Sequence, residues 1–194
     1  MLPVDSDEED IRAVHRALNG DAGAFRFLVL KYADRMLSFC RSRSPCEEDA
    51  ADAAQETFAR AYRSLRTFRL GSSFASWLFA IAANRTRTSW ARRLADRTKA
   101  ERAGMEAAVR EEADPELDVL RRIETERVRA AVSILPEDLR IAVELYYFAE
   151  LSVGETARAL NVGEEAVKSR LFRARKKLRE VLEERNLKDS GGVL

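Results

Sequence analysis

The chain has 194 residues, 46% apolar and 35% charged, with 8 Gly and 4 Pro. That length suits one medium domain or two small ones, and the apolar share is ample for cores. Scarce Gly and Pro, with no strand-like alternation, exclude a β-rich fold and leave an all-α one. The net charge of +1 hides separate blocks: five acids and no base in residues 1–10, ten bases against two acids in 63–103, six acids against one base in 104–118, and seven bases without an acid in 168–179. Two segregated cationic surfaces suit phosphate backbones, and binding of that kind weakens steeply with salt. Solvated helix faces laced with ion pairs are the plainer alternative. Cys40 and Cys46 have no ligand partner near them in sequence, and His15 is the only histidine. No metal site and no cofactor is therefore expected. One histidine, no clear pair of acids and no phosphate loop also argue against an enzyme. The N-terminus lacks a secretory signal, and no run of about 18 apolar residues occurs, so a cytoplasmic protein without membrane insertion is expected.

In chain order, residues 1–9 read as an acidic, disordered tail and helical patterning begins near Asp10. Asn19-Gly20 breaks that helix, and Asp21 caps the next, about Ala22 to Arg43, with Phe25, Leu28, Tyr32, Met36 and Phe39 on one face. Ser44-Pro45 interrupts again, and Ser44 with Glu47 can cap a helix of about Cys46 to Arg66. After the loop Thr67 to Ser72 a long helix starts near Ser73 and runs into the nineties. These elements make a first domain over residues 10–95. Residues 96–116 are charged, poor in large apolar side chains and punctuated by Gly104 and Pro115, which suits a flexible linker. A second domain spans residues 117–185, with one helix to about Ser133, another opening at Pro136, and two more at the end; residues 186–194 form a frayed tail.

The two closing helices are the most informative feature. Ser152 and Glu155 form a capping box, Asn161-Val-Gly163 supplies a turn that tolerates left-handed backbone, and a basic helix follows. A short helix, a tight turn and a basic helix is the arrangement that seats a recognition helix in the DNA major groove. At about 100° per residue, Val167, Leu171, Ala174 and Leu178 share the packing face. Ser169, Phe172, Arg173 and Lys176 point away, with Lys168 and Arg175 at the edges. An outward Phe172 can meet thymine methyls or the sugar edge while Arg173 reaches guanine and Lys176 a phosphate; alternatively, Phe172 packs on the preceding domain helix. Earlier, Phe68-Arg69, Ser73, Phe74 and Trp77 lead into a helix carrying Asn84, Arg87, Arg92 and Arg93. Rings beside bases, with an amide on the same helix, suit single-stranded nucleic acid. The spacing of Phe74, Trp77, Leu78 and Ile81 is equally that of a core stripe.

Taken together and in order, these motifs resemble the extracytoplasmic-function sigma factors, the small two-domain class of bacterial RNA polymerase initiation factors. Asp52-x-x-Gln55-Glu56-x-Phe58 resembles the family's polymerase-binding motif. Phe68-Arg69, Phe74-x-x-Trp77-Leu78-x-x-Ile81-Ala82-x-Asn84 and Arg92-Arg93 resemble its promoter-melting, −10-reading segment. Leu135-Pro136-Glu137 through Arg140, the helix from Ser152 to Leu160, and Val167 to Arg175 resemble its −35-reading module. The resemblance implies two helical domains, a region 2-like bundle and a region 4-like helix-turn-helix unit, in a protein without catalysis of its own. It implies Asp52, Gln55, Glu56 and Phe58 at the clamp helices of the polymerase largest subunit, a second contact to the polymerase flap, and promoter DNA as the other partner. Phe68, Arg69, Ser73, Phe74, Trp77, Asn84, Arg87, Arg92 and Arg93 would melt and capture the −10 strand. Lys168, Ser169, Phe172, Arg173, Arg175 and Lys176 would read the −35 duplex. It further implies an anti-sigma factor as regulator and a monomer when free of polymerase. Two positions depart from the family pattern: Leu70-Gly71, where Gly-Asp is common, and Thr88, where Asp is frequent. A helix-turn-helix repressor or activator that works without core polymerase is the alternative; it predicts a dimer on a palindrome.

Overall fold

The computed structural model describes residues 5–69, 72–84 and 127–190, and among them every regular element is helical. Helix α1 covers Asp5–Leu18, so the acidic start is structured and the helix begins before Asp10. Asp7, Glu8 and Glu9 lie toward its N-terminal end, where the helix dipole favours negative charge, and Glu8 pairs with Arg12 one turn on. Asp10 is fully buried and ties α1 to the next helix, accepting from the Tyr32 hydroxyl and the Lys31 ammonium, each at 2.5 Å. Burial pushes the Asp10 carboxyl up, against the pull of both donors. Burial and the neighbouring Asp10 likewise raise the Tyr32 phenol, which stays protonated and donating.

Gly20, at φ 94°, makes the expected break, and Asp21 caps α2 (Ala22–Arg41) by accepting from the Ala24 N–H at 3.2 Å. Arg16 holds the Asp21 carboxyl below the usual carboxylate range. Helix α2 stops at Arg41, two residues short of the sequence reading, and Arg43 turns inward. Helix α3 (Glu47–Ser64) is capped by Cys46, not Ser44: the Cys46 sulfur accepts from the Asp49 N–H at 3.5 Å. The later cap puts Glu47, Glu48 and Asp49 together in the first turn, and Arg41 takes the Glu47 carboxylate that would have reached back to Ser44. A 3-10 turn, Leu65–Thr67, leads to α4, helical over residues 74–84. The expected continuation of α4 into the nineties, and the expected linker, lie outside the described residues.

In the second half, α5 is helical over residues 127–133 and α6 (Glu137–Val143) follows Pro136, which stands at the cap rather than in the first turn. Helix α6 runs on into a five-residue π-helical segment, Glu144–Phe148. Then come α7 (Val153–Leu160) and α8 (Glu164–Ser190). The capping box forms as expected: the Glu155 N–H donates to the Ser152 hydroxyl at 3.2 Å, and the Ser152 N–H donates to the Glu155 carboxylate at 2.8 Å. Asn161, at φ 53°, supplies the left-handed residue of the turn. Helix α8 extends through residues expected to fray, since nothing before the pair Gly191-Gly192 breaks it.

Two apolar clusters hold the molecule. The smaller joins Val132, Leu135, Leu139, Val143 and Ala157 to Val167, Leu171 and Ala174 of α8. The larger contains the buried faces of α1–α4 and continues into the second half through Ile141, Leu145, Ala149 and Leu151. The two helical units therefore share a core. Replacing Asp10 by Ala leaves Tyr32 and Lys31 without their buried acceptor, so Asp10→Ala should lower unfolding free energy in urea by about 1–3 kcal/mol; an unchanged midpoint would show that α1 is held by apolar contacts alone.

Candidate nucleic-acid interface

Helix α8 separates its two faces cleanly. Val167 and Ala174 are fully buried, Leu171 is nearly so, and Leu178 packs at the margin of the same cluster. On the opposite side Lys168, Ser169, Phe172, Arg173, Arg175 and Lys176 are all exposed. Phe172 keeps 67% of its surface in solvent, so it does not pack on the domain. Glu165 accepts from the Lys168 ammonium at 2.7 Å and raises its pKa, and Asp138 lies 4.0 Å from Arg173. Both are exposed surface pairs, which contribute little and yield readily to a phosphate. Beside this face, α5, the π segment and α8 enclose an apolar groove of about 550 Å³, lined by Val128, Val132, Tyr147, Phe148 and Leu178, with Arg175 and Arg179 among its walls.

The first-half cluster is an aromatic nest. Phe68, Phe74 and Trp77 meet pairwise with ring centroids 5.6–5.8 Å apart, and Tyr32 lies 5.6 Å from Phe74. Phe68, Ser73 and Phe74 are buried, Trp77 is half-buried, and Arg69 and Asn84 are exposed. Core spacing thus accounts for Phe68 and Phe74 in this arrangement, while Arg69, Trp77 and Asn84 remain accessible. Arg87, Arg92, Arg93, Thr88 and Leu70-Gly71 lie outside the described residues. On α3, Asp52 and Gln55 are exposed, Glu56 is half-buried and accepts from Arg60 at 2.8 Å, and Phe58 packs against the large core.

Sequence reasoning missed the charged residues between the two units. Arg43 pairs with Glu137 at 2.7 Å and with Glu144, and Arg140 pairs with Glu137. Arg43, Arg140 and Glu144 are all buried. Burial pushes the Glu144 carboxyl up to about 7, against both arginines. The available signal was Glu144 itself, a lone carboxylate inside the apolar run Ile141 to Phe148, which must find a partner when buried. Arg35 donates to the carbonyl oxygens of Ala149 at 2.8 Å and Glu150 at 3.0 Å.

The two faces of α8 should respond differently to truncation. Leu171→Ala is expected to cost about 2–5 kcal/mol of stability, whereas Phe172→Ala should stay within about 0.5 kcal/mol. Urea denaturation of the two variants checks this; a large loss from Phe172→Ala would contradict its outward placement.

The geometry agrees with what the chain is similar to. The family model for sigma-70 region 2 matches residues 28–96 and that for sigma-70 region 4 matches residues 125–178. RNA polymerase sigma-H factor of Pseudomonas aeruginosa is 34% identical over 185 residues, covering 92% of this chain and 96% of that protein. The ECF RNA polymerase sigma-E factor of Escherichia coli K12 is 36% identical over 169 residues, 84% of this chain and 88% of that one. Among solved structures, CnrH in complex with the cytosolic domain of CnrY superposes with a TM-score of 0.71 at 26% identity, covering 91% of this chain and 98% of that one. The sigma factor RpoE of Bartonella quintana, in complex with the anti-sigma factor NepR, gives 0.63 at 25% identity, covering 82% and 96%. With its two family regions in order and relatives matched along nearly their whole length, this chain belongs to the extracytoplasmic-function sigma factors of the sigma-70 family.

Proposed function

We propose a division of labour for this sigma factor in which α8 reads the −35 duplex, the segment around Phe68 to Asn84 opens and captures the −10 strand, and α3 holds core RNA polymerase. The observation that carries the reading is the two-faced α8, with a buried apolar stripe behind Phe172 and a basic front. The buried stripe fixes the helix to its domain, so the front enters the major groove as a rigid body. Arg173 presents a guanidinium suited to the O6 and N7 acceptors of guanine, Phe172 meets a thymine methyl or sugar edge, and Lys168, Ser169, Arg175 and Lys176 position the backbone. In the first unit, Asn84, Trp77 and Arg69 would meet extruded bases and phosphates, with Arg87, Arg92 and Arg93 as further backbone contacts. Extruding a base costs a few kcal/mol of stacking, so only promoters that match both elements closely repay it.

Core polymerase performs the chemistry. Asp52, Gln55 and Glu56 dock on the clamp helices of its largest subunit, with Phe58 holding that stretch of α3 to the core. The apolar groove lined by Val128, Val132, Tyr147, Phe148 and Leu178 takes an apolar helix of the flap. No described helix is long and apolar enough to cross a membrane, in keeping with a cytoplasmic site of action. The solved relatives bound to CnrY and NepR support an anti-sigma factor as the regulator of this chain too.

Two measurements test the assignment. Gln55→Ala/Glu56→Arg should abolish capture by core RNA polymerase in a pull-down while leaving the helical content unchanged; retained capture would move the polymerase contact off α3. Arg173→Ala should cost about 1–3 kcal/mol at one −35 base pair and relax specificity there, while Lys176→Ala weakens all sequences evenly and lowers the salt slope. Equal losses on every sequence from Arg173→Ala would refute base reading by that side chain.

A further inference from the structure

The two proposed DNA-reading surfaces are not equally accessible. The basic front of α8 is open, with Phe172 and Arg173 both largely in solvent. The entry to α4 is covered by the second half. The Ser73 hydroxyl donates to the Glu155 carboxylate at 3.3 Å, and Arg158 donates to the Ser76 hydroxyl at 3.4 Å. Ser73, Phe74 and Ser76 are all buried. Helix α7 therefore lies over the segment assigned to the −10 strand.

Two arginines of the first half hold this arrangement. Arg35 stacks between the rings of Tyr32 and Phe79, 5.3 and 5.7 Å from their centroids. From there it donates to the carbonyls of Ala149 and Glu150. Glu150 has φ 53°, a left-handed conformation that a residue with a Cβ adopts at a cost, so Arg35 grips the chain at a strained point. Arg43 crosses to Glu137 and Glu144. Its Nε is buried without a hydrogen-bond partner among the described residues. Buried ion pairs impose geometry more than they add net stability, and an incompletely satisfied one is poorly suited to a permanent joint.

We propose that Arg35 and Arg43 form a clasp that closes the second unit over the −10 segment in the free protein, leaving a duplex reader whose single-strand site opens only when the clasp is released. The proposal rests on the assignment of residues 68–84 to the −10 strand. Polymerase docking supplies the release: a partner that binds only the separated units shifts the population by its differential affinity. Arg35 and Arg43 act as positioning residues for the closed state and touch no DNA in the open one. The order of events follows, with −35 contact available before −10 capture.

The test is hydrogen–deuterium exchange of the full chain, paired with binding of a fluorescent single-stranded oligonucleotide pool of random sequence. Arg35→Ala/Arg43→Ala should speed exchange at the amides of residues 73–77 and 149–151, while those of 28–40 and 167–174 stay protected. Single-strand affinity should rise about tenfold as the competent fraction grows, with duplex affinity unchanged. Unchanged exchange at residues 73–77 would overturn the clasp. Should the double variant lose protection everywhere, Arg35→Ala alone decides: it leaves the buried Arg43 pairs intact, and wild-type exchange at residues 73–77 in that variant overturns the proposal. Faster exchange without any gain in single-strand binding would uphold the clasp and reject the −10 assignment, so the two failures are distinguishable.

Discussion

Leu145 and Leu151 of the second unit are buried in the core of the first, and the rest of the architecture is arranged around that sharing. Each leucine removed from water contributes about 1.5–3 kcal/mol, enough to hold two small helical units together but not to fuse them. The π segment is what makes the sharing possible. By widening the helix over Glu144–Phe148, it lets one short stretch serve both apolar clusters: Leu145 in the larger, Tyr146 and Phe148 against the smaller. A regular continuation of α6 would rotate these side chains out of those positions.

The DNA-reading helix is built by local physics. Ser152 and Glu155 satisfy each other's backbone donors at the start of α7, Asn161 reverses the chain at its end, and Val167, Leu171 and Ala174 seat α8 on the domain. With the back of α8 fixed, the front presents its side chains at set positions, which is what discrimination between base pairs requires. The acids among these bases, Glu165 and Asp138, pair with Lys168 and Arg173 at the surface and do not compete with a phosphate array. The same chain thus carries one surface that is ready for duplex and another, around Ser73 and Phe74, that is sheltered.

What was legible in the sequence follows the range of the interaction. The helix-turn-helix, the cap at Asp21 and the apolar stripes of α2 and α8 rest on contacts within a few residues, and all form as read. The outward placement of Phe172, left open by periodicity, is resolved by its exposure. The start of α1 was misplaced because its acids read as a solvated tail, whereas Asp10 is satisfied by Tyr32 and Lys31 from the next helix. The cap of α3 shifted to Cys46 because Arg41 claims Glu47, a competition that a local motif does not register. The joint between the units was invisible for the same reason, since Arg43 and Glu144 are distant in sequence and only the three-dimensional packing makes them partners. Buried Phe68 and Phe74 mark a further limit: aromatic residues beside bases look alike whether they stack on nucleotides or on one another.

The central claim is that this chain brings core RNA polymerase to particular promoters. Its most direct test is run-off transcription from fragments of the genome that encodes it, by core polymerase with and without the purified protein. The account predicts transcripts that begin at discrete sites only when the protein is present, downstream of a shared pair of elements. Transcription that is unchanged by the protein, or reduced at every site, would contradict it.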